Sequence, residues 1–139
     1  MNGGYLLDTH ILIWLLDDDN CLNEGIREDI DYFQYAFCIS VESLREIVIL
    51  QSLKKISFTF TVDRVISDLQ KRQIGILPVD AAHIKELEKL PILSINGKKH
   101  EDPFDRLLIS QAIACKFTII SSDSKFPVYK DYGLKLLVN

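Results

Sequence analysis

Gly4-Tyr5-Leu6-Leu7-Asp8-Thr9-His10-Ile11-Leu12-Ile13-Trp14-Leu15-Leu16 opens the chain and sets its architecture. Gly4 to Leu7 reads as a short strand whose apolar residues are consecutive rather than alternating, the pattern of burial on both faces, and Asp8 ends it. Apolar residues then continue through Leu16 among good helix formers until Asp17-Asp18-Asp19-Asn20 stops them in a loop.

The same alternation of element types continues outward. A helix is expected from about Leu22 to Gln34, with Ile26, Ile30 and Phe33 on one face, and then a buried strand, Tyr35 to Ile39. Ser40 caps a helix reaching about Lys54, with Leu44, Ile47 and Val48 as its apolar stripe. Thr61 caps Val62 to Lys71, Ile76-Leu77-Pro78 supplies a third strand, and Asp80 caps Ala81 to Leu90. After the polar stretch Asn96 to Glu101, Asp102-Pro103 places an N-cap before a proline at the first helical position, opening a helix to about Cys115. Phe117 to Ile120 is a fourth strand and Leu134 to Val138 a fifth. Doubly apolar strands interleaved with helices imply a three-layer α/β/α domain with a central parallel sheet of four to five strands, a single domain over residues 1–139.

Composition bounds the function. The 139 residues are 47% hydrophobic and 26% charged, ordinary globular usage that argues against disorder. Lysine and arginine number 16 against 20 acids, a net charge of −4 that disfavours non-specific phosphate binding as the chain's way of working. The longest apolar run, Ile11 to Leu16, is far short of the ~20 residues of a membrane span, so no membrane association is expected. No lysine or arginine precedes Arg27, and Asp8 and His10 interrupt the first apolar stretch, which argues against a secretory signal. Cys21, Cys38 and Cys115 are odd in number and widely spaced; buried free thiols in a reducing cytoplasm are the simplest reading.

In parallel α/β sheets, ligands bind beyond the carboxyl ends of the strands. Asp8 follows the first strand and Asp123 the fourth. Glu42 and Glu46 lie one turn apart on the helix after the second, and Asp102 and Asp105 open the helix entering the fourth. Carboxylates sharing a cleft repel, so either their pKa values rise or a cation joins them. Oxygen ligands suit magnesium or manganese, and one or two such ions serve in-line phosphodiester hydrolysis. Each acid also has a plainer role. Asp102 fits an N-cap, Asp105 a first-turn acid favoured by the helix dipole, Glu42 a solvated helix acid, and Asp17 to Asp19 a solvated loop. Asp8 is hardest to dismiss, because a charge between Leu7 and the Ile11 to Leu16 run needs a partner.

In order, these residues resemble the PIN-domain family, and within it the VapC-type toxins of bacterial toxin–antitoxin pairs. Tyr5-Leu6-Leu7-Asp8-Thr9-His10 with Trp14-Leu15 is similar to the family's opening strand and helix, and Ile39-Ser40-Val41-Glu42-Ser43-Leu44-Arg45-Glu46-Ile47 to its second acidic motif. His100-Glu101-Asp102-Pro103-Phe104-Asp105-Arg106-Leu107-Leu108-Ile109 with Gln111-Ala112 resembles the third, and Thr118-Ile119-Ile120-Ser121-Ser122-Asp123 with Phe126 and Tyr129 the fourth. Arg45, Leu50 and Ser110 depart from the residues common at those positions. The resemblance implies a magnesium- or manganese-dependent endoribonuclease, neutralised by an antitoxin docking over the acidic cleft. It implies Asp8, Glu46, Asp105 and Asp123 as the catalytic and metal-binding acids, choosing Glu46 over Glu42. Thr9 and Ser121 are supporting hydroxyls, although Thr9 also suits a helix cap; Asp102 and Arg106 are further supporting candidates.

A haloacid-dehalogenase-like phosphatase would need a second carboxylate where His10 stands, and a receiver domain an acidic pair around the first strand and a lysine after the last. A catalytically silent RNA-binding or interaction module on the same fold remains the alternative. Lys98, Lys99, Arg106 and Lys125 are expected to form a basic rim, with His100 in it or in a solvated loop, while His10 and His83 read as structural or surface residues. An apolar surface near Ile49 or Ile66 would fit a homodimer. Setting four acids against bound cations leaves 16 acids balancing 16 bases.

Overall fold

A computed structural model describes residues 4–57 and 59–139. In chain order its elements are β1 (Tyr5–Leu7), α1 (Thr9–Leu16), α2 (Glu24–Asp31), β2 (Phe37–Ser40), α3 (Val41–Ser52), α4 (Val62–Lys71) and β3 (Ile74–Leu77). There follow α5 (Ala81–Lys89), β4 (Ser94–Ile95), β5 (Lys98–Lys99), α6 (Pro103–Cys115), β6 (Thr118–Ser121), a 3-10 helix (Pro127–Tyr132) and β7 (Lys135–Val138). Five strands pair in the order β3-β2-β1-β6-β7, every pairing parallel. The expected parallel α/β architecture is the observed one, with five strands.

Alternate residues of β1, β2 and β6 feed two cores, which is why these strands read as apolar runs. Leu7, Phe37, Ile39 and Ile120 pack with Ile26, Ile30, Leu44, Ile47, Val65 and Leu69 from α2, α3 and α4. Leu6 and Ile119 face the other way, onto Leu108, Ile109 and Ala112 of α6 and onto Phe126 and Tyr129. Gly4 is required by close approach: a Cβ there would lie 2.0 Å from the Ala36 carbonyl oxygen, whose bond to the Tyr5 N–H leads β1 onto β2.

Several boundaries differ from expectation. α2 starts at Glu24, because the Asn23 side chain accepts the N–H groups of Gly25 and Ile26 as its cap. It also ends early: Phe33 lies beyond it with a left-handed φ of 54° and is half exposed, so it does not join Ile26 and Ile30. On α3 the buried stripe is Leu44 and Ile47, whereas Val48 is 44% exposed. β2 runs from Phe37, and β3 is Ile74 to Leu77 rather than Ile76 to Pro78, since Pro78 has no N–H for a ladder. Within the polar stretch, Ser94 pairs with Lys99 and Ile95 with Lys98 across a hairpin turned by Asn96 and Gly97, both at positive φ. All three thiols are free, but Cys21 is exposed rather than buried; burial, with Cys115 adding to it, pushes the Cys38 thiol up to about 12. Among the described residues no helix is long and apolar enough to cross a membrane.

Candidate active site

The sheet grows outward from β1 in both directions, to β2 and β3 on one side and to β6 and β7 on the other. The crevice of such a sheet opens where the order reverses, beyond the carboxyl ends of β1 and β6. Asp8 stands at the end of β1, Ser121 is the last residue of β6, and Asp123 follows two residues on.

Asp8 is buried. Its backbone N–H donates to the Ile120 carbonyl at 3.0 Å, fixing it against β6. Its Oδ1 accepts the Thr9 N–H at 2.7 Å as the N-cap of α1, and its Oδ2 accepts the Ser121 hydroxyl at 2.7 Å. Burial pushes the Asp8 carboxyl above its ordinary range; the Ser121 and Thr9 bonds pull it back, and the Asp123 charge adds to the rise. The Ser121 Oγ also accepts the Asp123 N–H at 3.0 Å. Thr9 is therefore not a cap: Asp8 fills that position, and the Thr9 hydroxyl is hydrogen-bonded with Ser43 Oγ at 2.9 Å.

α3 begins at Ser40, whose hydroxyl accepts the Glu42 N–H, and carries Glu42, Ser43 and Glu46 to the same place. The half-buried Glu46 carboxyl is raised by desolvation, with Asp8 and Asp102 adding repulsion and a Thr9 hydrogen bond opposing it. Glu42 has a cation of its own, Arg45 Nε at 2.6 Å, and the Arg45 guanidinium lies 4.7 Å from the centre of the Phe104 ring.

At α6 the plain reading of Asp102 holds: its carboxylate accepts the Asp105 N–H at 3.0 Å, with Pro103 in the first turn. Asp105 is pushed to about 8, chiefly by burial and further by Asp102, Asp8, Asp123 and Glu46. Its Oδ2 lies 3.0 Å from His100 Nε2, and His100 Nδ1 lies 2.6 Å from the Tyr129 hydroxyl. His100 is thus a buried bridge rather than a rim or solvated residue, and burial lowers its pKa. His83 is buried at the start of α5, closing a capping box with Asp80, while His10 is exposed beside Trp14.

One pocket is lined by Asp8, Thr9, Glu42, Ser43, Glu46, Phe104, Asp105 and Leu108. Three of the four sequence-predicted acids meet there. Asp123 lies outside that lining, near enough for its charge to raise Asp8 and Asp105, and its Oδ1 accepts the Lys125 N–H. Among the described residues no lysine or arginine is ion-paired with Asp8, Glu46, Asp105 or Asp123. Nor do any three His, Cys, Asp or Glu side chains there form a set that holds a metal by itself. The donor set is all oxygen and lacks a counter-cation, which fits a hard ion that keeps several waters and takes only one or two carboxylates directly.

Arg106 leaves the expected basic rim. Its guanidinium donates to the carbonyls of Pro91 and Leu90 at 3.0 and 2.9 Å, tying down the segment after α5. Lys98, Lys99 and Lys125 do share a groove of about 400 Å³, with His100 at its wall. Ser43 went unread as a site residue, its signal being a hydroxyl one turn before Glu46. Tyr129 stood in a motif without a role, and only the fold brings it to His100.

The PIN-domain family model matches residues 5–132, and the chain belongs to that family. PIN domains are generally nucleases that use divalent metal ions. Two solved structures share the fold. VapBC2 from Rickettsia felis, bound to a DNA fragment from its promoter, is 19% identical with a TM-score of 0.64, over 97% of this chain and 98% of that one. DNA-bound VapBC from Salmonella typhimurium is 14% identical with a TM-score of 0.59, over 98% of each chain. No curated protein matches the sequence.

Proposed function

We propose that the chain is a metal-dependent endoribonuclease, a single PIN-like nuclease domain over residues 1–139 that hydrolyses RNA phosphodiester bonds as the VapC-type toxin of a toxin–antitoxin pair. The observation that carries this is the convergence of Asp8, Glu46 and Asp105 on one pocket, without a lysine or arginine ion-pair partner among the described residues. Together with Asp123 they would hold Mg²⁺ or Mn²⁺, as one or two ions. When bound, such an ion acidifies a water and stabilises the leaving oxygen of an in-line displacement.

The chain's own residues prepare the site. Ser121 and the Thr9 N–H hold both oxygens of Asp8, so that carboxylate presents a fixed face. Leu108 and Phe104 wall the pocket with apolar surface, which strengthens every charge interaction inside it. The groove of Lys98, Lys99 and Lys125 supplies positive charge for a phosphate backbone despite the net charge of −4.

The partner proposed for the same cleft is a small antitoxin presenting a basic tail to these carboxylates; both similar structures are VapBC assemblies. A homodimer is proposed through α3, where Val41 and Val48, one heptad apart, are exposed; Ile49 and Ile66 are half-buried. The proposed location is the cytoplasm.

A catalytically silent RNA-binding module is the second reading, favoured by the lysine groove alone. Purified protein incubated with structured RNA separates the two. The nuclease reading expects cleavage with Mg²⁺ or Mn²⁺ that stops on chelation; RNA bound but uncut under every metal would establish the silent module.

A further inference from the structure

We propose that His100 is a positioning residue for this site, fixing the Asp105 carboxylate from behind while Tyr129 fixes His100. The inference rests on the metal-site reading above and deepens it.

The chain Tyr129–His100–Asp105 joins three separate segments: the start of the 3-10 helix region, the residue after β5, and the first turn of α6. Donor and acceptor chemistry assigns each bond a direction. A carboxylate that holds a cation is ionised and only accepts, so in the metal-bound state Nε2 of His100 carries the hydrogen that Asp105 Oδ2, 3.0 Å away, receives. A neutral imidazole has one N–H, so its Nδ1 accepts and the Tyr129 hydroxyl donates, at 2.6 Å. His100 is 5% exposed and Tyr129 0% exposed, and both ring nitrogens of His100 are engaged inside the protein, so His100 offers the groove no free polar atom. His100 spends both ring nitrogens on Tyr129 and Asp105, and the Tyr129 hydroxyl also meets the Arg106 guanidinium.

This arrangement does for Asp105 what helix geometry cannot. The first turn of α6 fixes the direction of its Cβ but leaves the carboxylate free to rotate. Bonding Oδ2 to a buried imidazole selects one rotation and leaves Oδ1, which has no hydrogen bond among the described residues, for a cation. Partners of this kind behind a metal ligand are worth about 10- to 100-fold in metal affinity. Sequence position alone hides the role, because Lys98 and Lys99 make His100 look like part of an exposed basic run.

The test is Mn²⁺ binding to the RNA-free protein, followed by electron paramagnetic resonance of the free ion, with circular dichroism as the control for folding. His100→Ala is expected to weaken binding about 10- to 100-fold. His100→Gln, whose amide N–H₂ replaces the Nε2 donor, should recover most of the loss, and Tyr129→Phe should give a smaller loss. In an Asp105→Asn background, His100→Ala should add nothing further. Should His100→Ala fail to fold, Tyr129→Phe carries the test, since it removes one hydroxyl and keeps the ring. Wild-type affinity in both His100→Ala and Tyr129→Phe, while Asp105→Asn loses Mn²⁺, overturns the positioning role alone. An equal His100→Ala loss with and without Asp105 also overturns it. Wild-type protein that binds no Mn²⁺ overturns the metal reading and this inference with it.

Discussion

The Ser121 hydroxyl donates to Asp8 Oδ2 at 2.7 Å and accepts the Asp123 N–H at 3.0 Å, so one side chain joins the acid after β1 to the acid after β6. Ser121→Ala leaves a buried carboxylate oxygen and a backbone N–H without their partner, a cost of about 1–3 kcal/mol. It also removes the largest influence lowering the Asp8 pKa, so that carboxyl rises further. Thermal unfolding should show a lower Tm, and Mn²⁺ should recover less stability in this variant than in wild type.

Asp105 gives the site a pH dependence whose sign follows from its shift. Its pKa is raised from 3.8 to about 8 on folding, so across that window the folded chain keeps a proton the unfolded chain has released. Its contribution to stability therefore falls as pH rises from 3.8 to about 8 and is constant outside the window. In metal-free protein, Asp105→Asn should gain stability relative to wild type as pH rises through that range. Mn²⁺ competes with that proton for the carboxylate, so its affinity for wild type should climb toward pH 8; melts and metal titrations across pH check both.

Glu42 and Glu46 line the same pocket, but only Glu42 has its own cation, in Arg45. Glu46→Gln should abolish metal-dependent cleavage, whereas Glu42→Gln should leave most of it. Parallel cleavage assays decide the pair.

Lys98 and Lys99 are exposed in the groove, while Arg106 is engaged with the Leu90 and Pro91 carbonyls. Reversing both lysines to glutamate should weaken RNA binding and flatten its salt dependence by about one unit of slope per lost phosphate contact. Arg106→Ala should instead lower Tm, by leaving two carbonyls without their donor.

Those contrasts show where sequence was enough. β1, β2 and β6 were legible because both faces of each strand are buried, which leaves an unbroken apolar run, and α6 because Asp102-Pro103 is a start signal with a physical mechanism. Asp8 stood out as a charge inside apolar surroundings. The choice of Glu46 over Glu42 came from resemblance, since residues one turn apart share a helix face; Arg45 supplies the physical difference only once its side chain is placed. Val48 and Phe33 were misassigned because periodicity does not show where neighbouring elements end. His100 was misread for a related reason: the Asn96-Gly97 turn exposes the two lysines and returns the chain inward one residue later. The bond from His100 to Tyr129 spans 29 residues, a separation no local pattern encodes.

The acids at the ends of β1 and β6 and on α3 and α6 are the proposed catalytic centre of a metal-dependent ribonuclease. The most direct test is cleavage of structured RNA by wild type and Asp8→Asn in Mg²⁺ or Mn²⁺, with circular dichroism showing the same fold. Cleavage by wild type and none by the variant is the expected result; full activity in Asp8→Asn would remove Asp8 from the catalytic centre.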